Sequence, residues 1–339
     1  MWRIISKKTK ITKIGYNFTK NGLLMRDFKN IIIVLVAIVF ISQLLMMKDD
    51  ANKDSSGKLP LIALSTFSLY DIAKNVAQDT LDVFMILPAG VDAHSFEPTP
   101  KLMADISKSD LVVYSGAGLE PWITGFDFKS KVIDMSKYVN LKELGSGHNH
   151  EEEQGDEEES HHKNALDPHY WLDIDNMIKA TNIITAEFIK ISPQNKELYT
   201  KNSEKYIANL QALESDYKRT FSTCQKKTII VNHNAFSYIS HKYGFNVEAL
   251  SGFSPEAQPS AKNMARLIEH VKEHNISTIF FESFVSDRAI KSIAQEAKVS
   301  VDVLQPLGNI TADEQKQNLG FEAIMRINLA KLSKALECR

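Results

Sequence analysis

A chain of 339 residues, 43% hydrophobic and 24% charged, has room for two domains of ordinary size and the apolar content of a folded globular protein. Its net charge of −2 is unevenly spread: residues 1–30 carry eight basic side chains against Asp27 alone, a local +7, which leaves −9 on the remainder. That acidic remainder argues against nucleic acid as a partner, and two cysteines without a Cys-x-x-Cys pair exclude a thiolate zinc site.

The basic stretch runs into Ile31–Met47, seventeen residues with no charge. Cationic residues on the amino side of an apolar run are retained in the cytoplasm, so this reads as an export signal or membrane anchor with everything after Lys48 translocated to the periplasm. The run is at the short limit for crossing a bilayer, no small-x-small cleavage site follows it, and no cysteine sits beside it for a lipoprotein anchor. A start at Met25 would give a conventional signal peptide. Residues 1–50 are assigned to this basic and apolar leader, and residues 51–58 to a polar linker.

Beyond the linker, Leu61–Phe67 is predicted as a buried strand, Leu69–Asp79 as an amphipathic helix, and Leu81–Leu87, Leu111–Ser115 and Lys131–Met135 as further strands. Strand and helix in alternation predict a parallel α/β lobe over residues 59–173. Within it, Gly147–Asn164 holds four of the ten histidines (His148, His150, His161 and His162), seven carboxylates and no apolar residue. Such a loop has nothing with which to join a core, and paired histidines at both ends suit it to gathering zinc weakly.

Ile174–Ile191 reads as a helix, and Ser192–Pro193 as an N-cap and first-turn proline for a second helix reaching about Thr220. At 1.5 Å per residue this second helix is about 40 Å long, enough to serve as a spine for two lobes. The helical segment is placed at 174–222. Alternation restarts with strands at Lys227–Asn232, Phe245–Leu250, Thr278–Glu282 and Val299–Leu304 and helices at Ser260–His274 and Asp287–Ala297, a second lobe over 223–339. The expected fold is α/β: two Rossmann-like lobes with parallel sheets, joined by one long spine helix, with a metal site in the cleft between them. Cys224 and Cys338 both lie in the exported part, where an oxidising compartment allows one disulfide if the last helix returns beside the strand after Cys224.

Three further histidines, His94, His169 and His233, sit just after or just outside predicted strands. Ligands of open α/β sheets collect beyond the carboxyl ends of the strands, where His94 and His233 would meet from opposite lobes. Any one of them alone would be read as a hydrogen-bonded structural residue. Together, with Glu97 and Asp173 nearby to orient the second ring nitrogen, they point to a metal site. His241, His270 and His274 lie on predicted helices without such surroundings and are expected at the surface.

The runs His94-Ser-Phe-Glu-Pro-Thr-Pro100, Asp167-Pro-His-Tyr-Trp-Leu-Asp173 and Asn232-His-Asn-Ala-Phe-Ser-Tyr238 resemble the three ligand motifs of the periplasmic zinc- and manganese-binding proteins of ABC transporters, the cluster A-I group. Phe280-Phe-Glu-Ser-Phe-Val-Ser-Asp-Arg288 and Leu304-Gln-Pro-Leu-Gly308 resemble its later blocks. The resemblance covers about residues 59–339 and implies a monomeric receptor that carries Zn²⁺ as cargo to an ABC permease and its ATPase. Manganese-binding members carry a carboxylate at the third ligand position; His233 stands there, and imidazole suits zinc. In many relatives a carboxylate also stands in the block reading Leu304-Gln-Pro-Leu here, so Gln305 takes its place. Water is then expected in the fourth position, bonded to Gln305, with Glu282 or Asp302 as substitutes.

Three other readings compete. A manganese receptor would share the class. A zinc hydrolase would also hold its ion on three histidines, but the chain lacks a His-Glu-x-x-His helix. A metal-binding adhesin on the same fold would be marked by a surface anchor or an added module.

Overall fold

The computed structural model describes residues 58–143, 165–249, 261–273, 275–282 and 294–339. The apolar run at 31–47, the loop carrying His148, His150, His161 and His162, His274, and most of the helix expected at 287–297 lie outside them. No helix among the described residues is long and apolar enough to cross a membrane.

Strands β1 (Leu61–Leu64), β2 (Asp82–Met85), β3 (Leu111–Tyr114) and β4 (Lys131–Asp134), with helices α1 (Phe67–Ala77) and α2 (Pro100–Ile106), build a parallel sheet in the order β2-β1-β3-β4. Its central strands are apolar on both faces, as a sheet covered on both sides requires. Ile62, Leu64, Leu111 and Val113 enter the main core, while Ala63 and Val112 pack with Ile86 and Ile106 on the other side. Strand β1 ends before the expected Phe67 because Thr66 is already the extended N-cap of α1. Two short antiparallel strands, β5 (Lys142–Glu143) and β6 (Leu166–Asp167), pair the residues flanking the histidine-rich segment.

Helix α3 (Ile174–Ile191) begins at Asp173, whose carboxylate accepts from the Asp175 amide. A 3-10 turn, Pro193–Asn195, separates it from α4 (Lys196–Phe221), so Ser192 caps the turn and not the long helix. The second lobe comprises β7 (Thr228–Val231), α5 (Ser237–Tyr243), β8 (Asn246–Ala249), α6 (Ala261–Glu273), β9 (Thr278–Phe281) and β10 (Ser300–Val303), then α7 (Ala312–Lys316) and α8 (Phe321–Ala335). Its strands are parallel in the order β10-β9-β7-β8. Numbered from its own first strand, this sheet repeats the order of the first. Both lobes therefore have their switch point between first and third strands, β1/β3 and β7/β9, where a crevice opens at the strand ends.

Helix α4 is 26 residues, about 40 Å, and buries a stripe at three- and four-residue spacing: Tyr199, Ser203, Tyr206, Leu210, Leu213, Tyr217 and Phe221. Its tyrosines tie it to both lobes. The Tyr199 hydroxyl lies 2.8 Å from Thr80 Oγ1, Tyr206 donates to Asp71 Oδ2 at 2.8 Å, and Tyr217 donates to the Met325 carbonyl on α8 at 2.7 Å. A disulfide joins Cys224, just after α4, to Cys338, just after α8.

Burial pushes the Asp71 carboxyl from 3.8 up to about 6, although Tyr206 and the Phe321 amide donate to it and hold it down. An acid whose folded pKa exceeds its unfolded value stabilises the fold while protonated, and that contribution is lost as pH rises through about 6. Between pH 5.5 and 7.5 the metal-free protein should lose about 1 kcal/mol from this group. Urea unfolding at the two pH values reads the effect; the difference should shrink by that amount in Asp71→Asn, and an unchanged difference would contradict it.

Candidate metal centre

His233 lies two residues past the end of β7, and Glu282 directly follows β9, so both occupy the switch point of the second sheet. His169 sits between β6 and the 3-10 turn Tyr170–Leu172, with φ −80° and ψ 30°. His94 comes from the segment between β2 and α2. Ring centroids are 5.2 Å apart for His94 and His169, 5.4 Å for His94 and His233, and 5.0 Å for His169 and His233. One ring nitrogen from each lies within 4.8 Å of the others. His169 and His233 are buried and His94 is half-buried; Val91, Leu119, Trp171, Pro306 and Gly308 complete the wall.

Two carboxylates set the rings. Asp167 Oδ1 is 2.7 Å from His169 Nδ1 and also accepts the His169 amide at 2.9 Å, and Glu282 Oε1 bonds His233 Nδ1. A carboxylate on Nδ1 fixes the hydrogen there and leaves the Nε2 lone pair facing inward. His94 Nε2 and His169 Nε2 are 3.2 Å apart. Tetrahedral zinc with Zn–N near 2.0–2.1 Å places its nitrogens about 3.4 Å apart, so this separation suits one ion between them. His233 Nε2 is buried and has no hydrogen-bond partner among the described residues. An orphaned acceptor of this kind costs about 1–3 kcal/mol unless something fills it, and a cation does.

Electrostatics keep His94 neutral and favour positive charge beside His233. Burial, then the neighbouring His169 and His233, push His94 down to about 3, so its ring is unprotonated near neutrality. Burial also lowers His233, but the adjacent Glu282 carboxylate more than offsets it and the net direction is upward. Burial raises Asp167, yet His169 and the Ser237 hydroxyl outweigh it and hold the carboxyl below its usual range. Asp167 and Glu282 thus offset much of the charge of a divalent ion, so the site is less cationic than three imidazoles alone imply.

Several sequence expectations need correction. Glu97 is exposed and bonds none of the histidines among the described residues. Asp173 caps α3 and pairs with Lys242 at 2.6 Å, so Asp167, not Asp173, holds His169. Gln305 donates through Nε2 to Glu314 at 2.8 Å and does not line the cleft; Pro306, Gly308 and Asn309 of its block do. Asp302 pairs with Lys331 at 3.0 Å, away from the histidines. His270 is half-buried against Glu248 and not free at the surface.

Asp92 and Asp167 are what the sequence reading missed. Each stands two residues before a histidine, in Asp92-Ala93-His94 and Asp167-Pro168-His169, and each accepts that histidine's amide, at 3.1 Å and 2.9 Å. That repeated Asp-x-His spacing was the available signal, since an aspartate commonly bonds the backbone two residues on.

The family model described as "ZnuA: Zinc-uptake complex component A periplasmic" matches residues 62–335. The high-affinity zinc uptake system protein ZnuA of Bacillus subtilis is 34% identical over 290 residues, 84% of this chain and 90% of that protein. The zinc-binding lipoprotein AdcA of Streptococcus pneumoniae is also 34% identical, but the chain spans only 57% of its length. The solved Zn(II)-bound ZnuA-like domain of that AdcA superposes with a TM-score of 0.69 at 31% identity, covering 83% of this chain and 100% of the domain. The solved laminin-binding protein Lmb of Streptococcus agalactiae, described as bifunctional with adhesin and metal-transporting activity, gives a TM-score of 0.71 at 29% identity over 82% of this chain and 99% of its own.

Proposed function

This chain belongs to the family of the periplasmic zinc-uptake complex component A, and from that premise we propose that it is an extracytoplasmic zinc receptor holding one ion on His94, His169 and His233. The observation that carries the reading is the convergence of three imidazoles on one point, with the buried His233 Nε2 left unpartnered there. An all-nitrogen donor set favours zinc over manganese, which prefers oxygen. The carboxylates beside the rings are each engaged by an Nδ1, so neither is placed as a general base for metal-bound water, and the protein is a carrier and not an enzyme. It works in the periplasm as a monomer and delivers the ion to an ABC permease driven by a separate ATPase. The loop with His148, His150, His161 and His162 gathers zinc weakly near the cleft; deleting residues 148–162 removes weak sites in a zinc titration and keeps the tight one, and loss of the tight one contradicts this division.

The pH dependence of zinc affinity tests the ligand set. His94, at about 3, needs no deprotonation near neutrality, whereas the Glu282 carboxylate raises His233 above 6.5, so this ring takes up a proton on acidification. Zinc must then displace a proton, so affinity should fall about tenfold per pH unit below that point. Glu282→Gln removes the upward push on His233 and should move the fall to lower pH, while weakening binding at pH 7.5 by about 10–100-fold. Affinity unchanged between pH 7.5 and 5.5 would rule out this set.

A further inference from the structure

Asp167 and Glu282 hold two of the three rings through Nδ1, and His94 is held differently, through the backbone that carries it. The stretch from Pro306 to Ile310, which leaves β10, lies against the flanks of both His169 and His94. On one side Trp171 Nε1 donates to the Pro306 carbonyl at 2.7 Å, with the indole 5.5 Å from the His169 ring. On the other, Asn309 is 2% exposed and donates from Nδ2 to both the Pro88 and Val91 carbonyls, each at 2.7 Å. Its Oδ1 accepts the Ile310 amide at 2.8 Å, which fixes the orientation of the amide. The Gly90 amide donates back to the Ile310 carbonyl at 2.8 Å. Residues 88–91 lead directly into Asp92 and His94, so a side chain more than two hundred residues away in sequence clamps the loop that presents the first ligand.

We propose that Asn309 is a positioning residue for zinc binding, fixing His94 through the Pro88 and Val91 carbonyls. The proposal rests on the reading of the cleft as the zinc site. Loss of the amide takes its side-chain donor from the Val91 carbonyl, leaves the Pro88 carbonyl only the Val91 amide at 3.3 Å and frees the loop, and a metal site loosened by even part of an ångström loses its ligand geometry. The side chain of Asn309 is committed to backbone groups and hydrogen-bonds none of the three rings, so its effect is on placement and not on coordination chemistry.

The test compares full-length wild type, Asn309→Ala, Asn309→Ser, Tyr206→Phe and His94→Ala by chelator-competition zinc titration, thermal unfolding, and the visible d–d spectrum of the Co²⁺-loaded protein. Asn309→Ala should bind zinc about 10–100-fold more weakly and show an altered Co²⁺ spectrum; Asn309→Ser keeps one donor and should fall between it and wild type. Tyr206→Phe breaks a buried bond on the spine, lowers stability, and should leave affinity and spectrum as in wild type. Wild-type affinity and spectrum in Asn309→Ala, or equal weakening in Tyr206→Phe with an unaltered spectrum, overturns the proposal. Should Asn309→Ala fail to fold, Asn309→Ser decides it on the same two readouts. Undiminished tight binding in His94→Ala sinks the reading of the cleft itself, independently of Asn309.

Discussion

Alanine at His94, His169 or His233 should each weaken zinc binding by about 10²–10³-fold. Zinc held by four protein ligands is worth roughly 10–16 kcal/mol, or about 2.5–4 kcal/mol for each position, and 1.4 kcal/mol is tenfold in affinity. The three substitutions should differ in a second readout. His233→Ala strands Glu282, and His169→Ala takes the ring from Asp167 while leaving it the residue-169 amide and the Ser237 hydroxyl; each is a buried carboxylate that loses its ring partner. Leaving a buried acceptor or charge unpaired costs about 1–3 kcal/mol or more, so both variants should also unfold at lower temperature without metal. His94 has no carboxylate on its ring among the described residues, and its replacement should cost zinc affinity with little change in metal-free stability. Calorimetric titration with thermal unfolding of the metal-free variants separates the two effects; an equal stability loss at all three positions would contradict the assignment of the carboxylates.

Removing the disulfide should destabilise the fold by about 2–5 kcal/mol and leave the zinc site intact. Cys224 and Cys338 are 114 residues apart, a loop that encloses the whole second lobe. Constraining a loop of that size in the unfolded chain is worth about 4–5 kcal/mol in the chain-entropy model, and measured losses run from about 2 kcal/mol upward. Non-covalent contacts join the same segments: the Thr223 hydroxyl donates to the Arg339 carbonyl at 2.8 Å and accepts the Arg339 amide at 3.0 Å, the Lys226 amide donates to the Leu336 carbonyl at 3.0 Å, and Lys226 Nζ pairs with Glu337 at 2.7 Å. They do not close the loop covalently, so the C-terminus after α8 should fray in the Cys224→Ser, Cys338→Ser double variant. Denaturant unfolding under oxidising conditions measures the loss. A midpoint equal to that of wild type would mean that the bridge contributes nothing to the fold, and zinc affinity lost along with it would mean that the bridge supports the cleft.

The parts of this molecule set by local pattern were legible in the sequence. Apolar runs between turn residues gave the strands of both sheets, and α3 appears with the limits its periodicity predicts, because amphipathic spacing and an Asp173 cap are local facts. The three histidines were legible because each sits in a distinctive short run. Of the two carboxylates on the rings, Glu282 was expected at the site, as a substitute in the fourth position, and Asp167 was not. Glu282 comes to His233 from 49 residues away and Asn309 to Val91 from 218, and only the topology of the second sheet brings them there. Glu97 and Asp173 were chosen by sequence proximity, which does not say where a side chain points. Gln305 shows the same difficulty at the scale of one residue: it turns to Glu314, and the next residue, Pro306, faces the cleft.

The most direct test is a competition titration of zinc against manganese on the metal-stripped protein, beside the His94→Ala, His169→Ala, His233→Ala triple variant. One tight zinc equivalent that manganese does not displace, absent from the triple variant while weak sites persist, is the predicted result. Tight manganese binding, or a tight zinc site that survives all three substitutions, would contradict a zinc receptor built on this cleft.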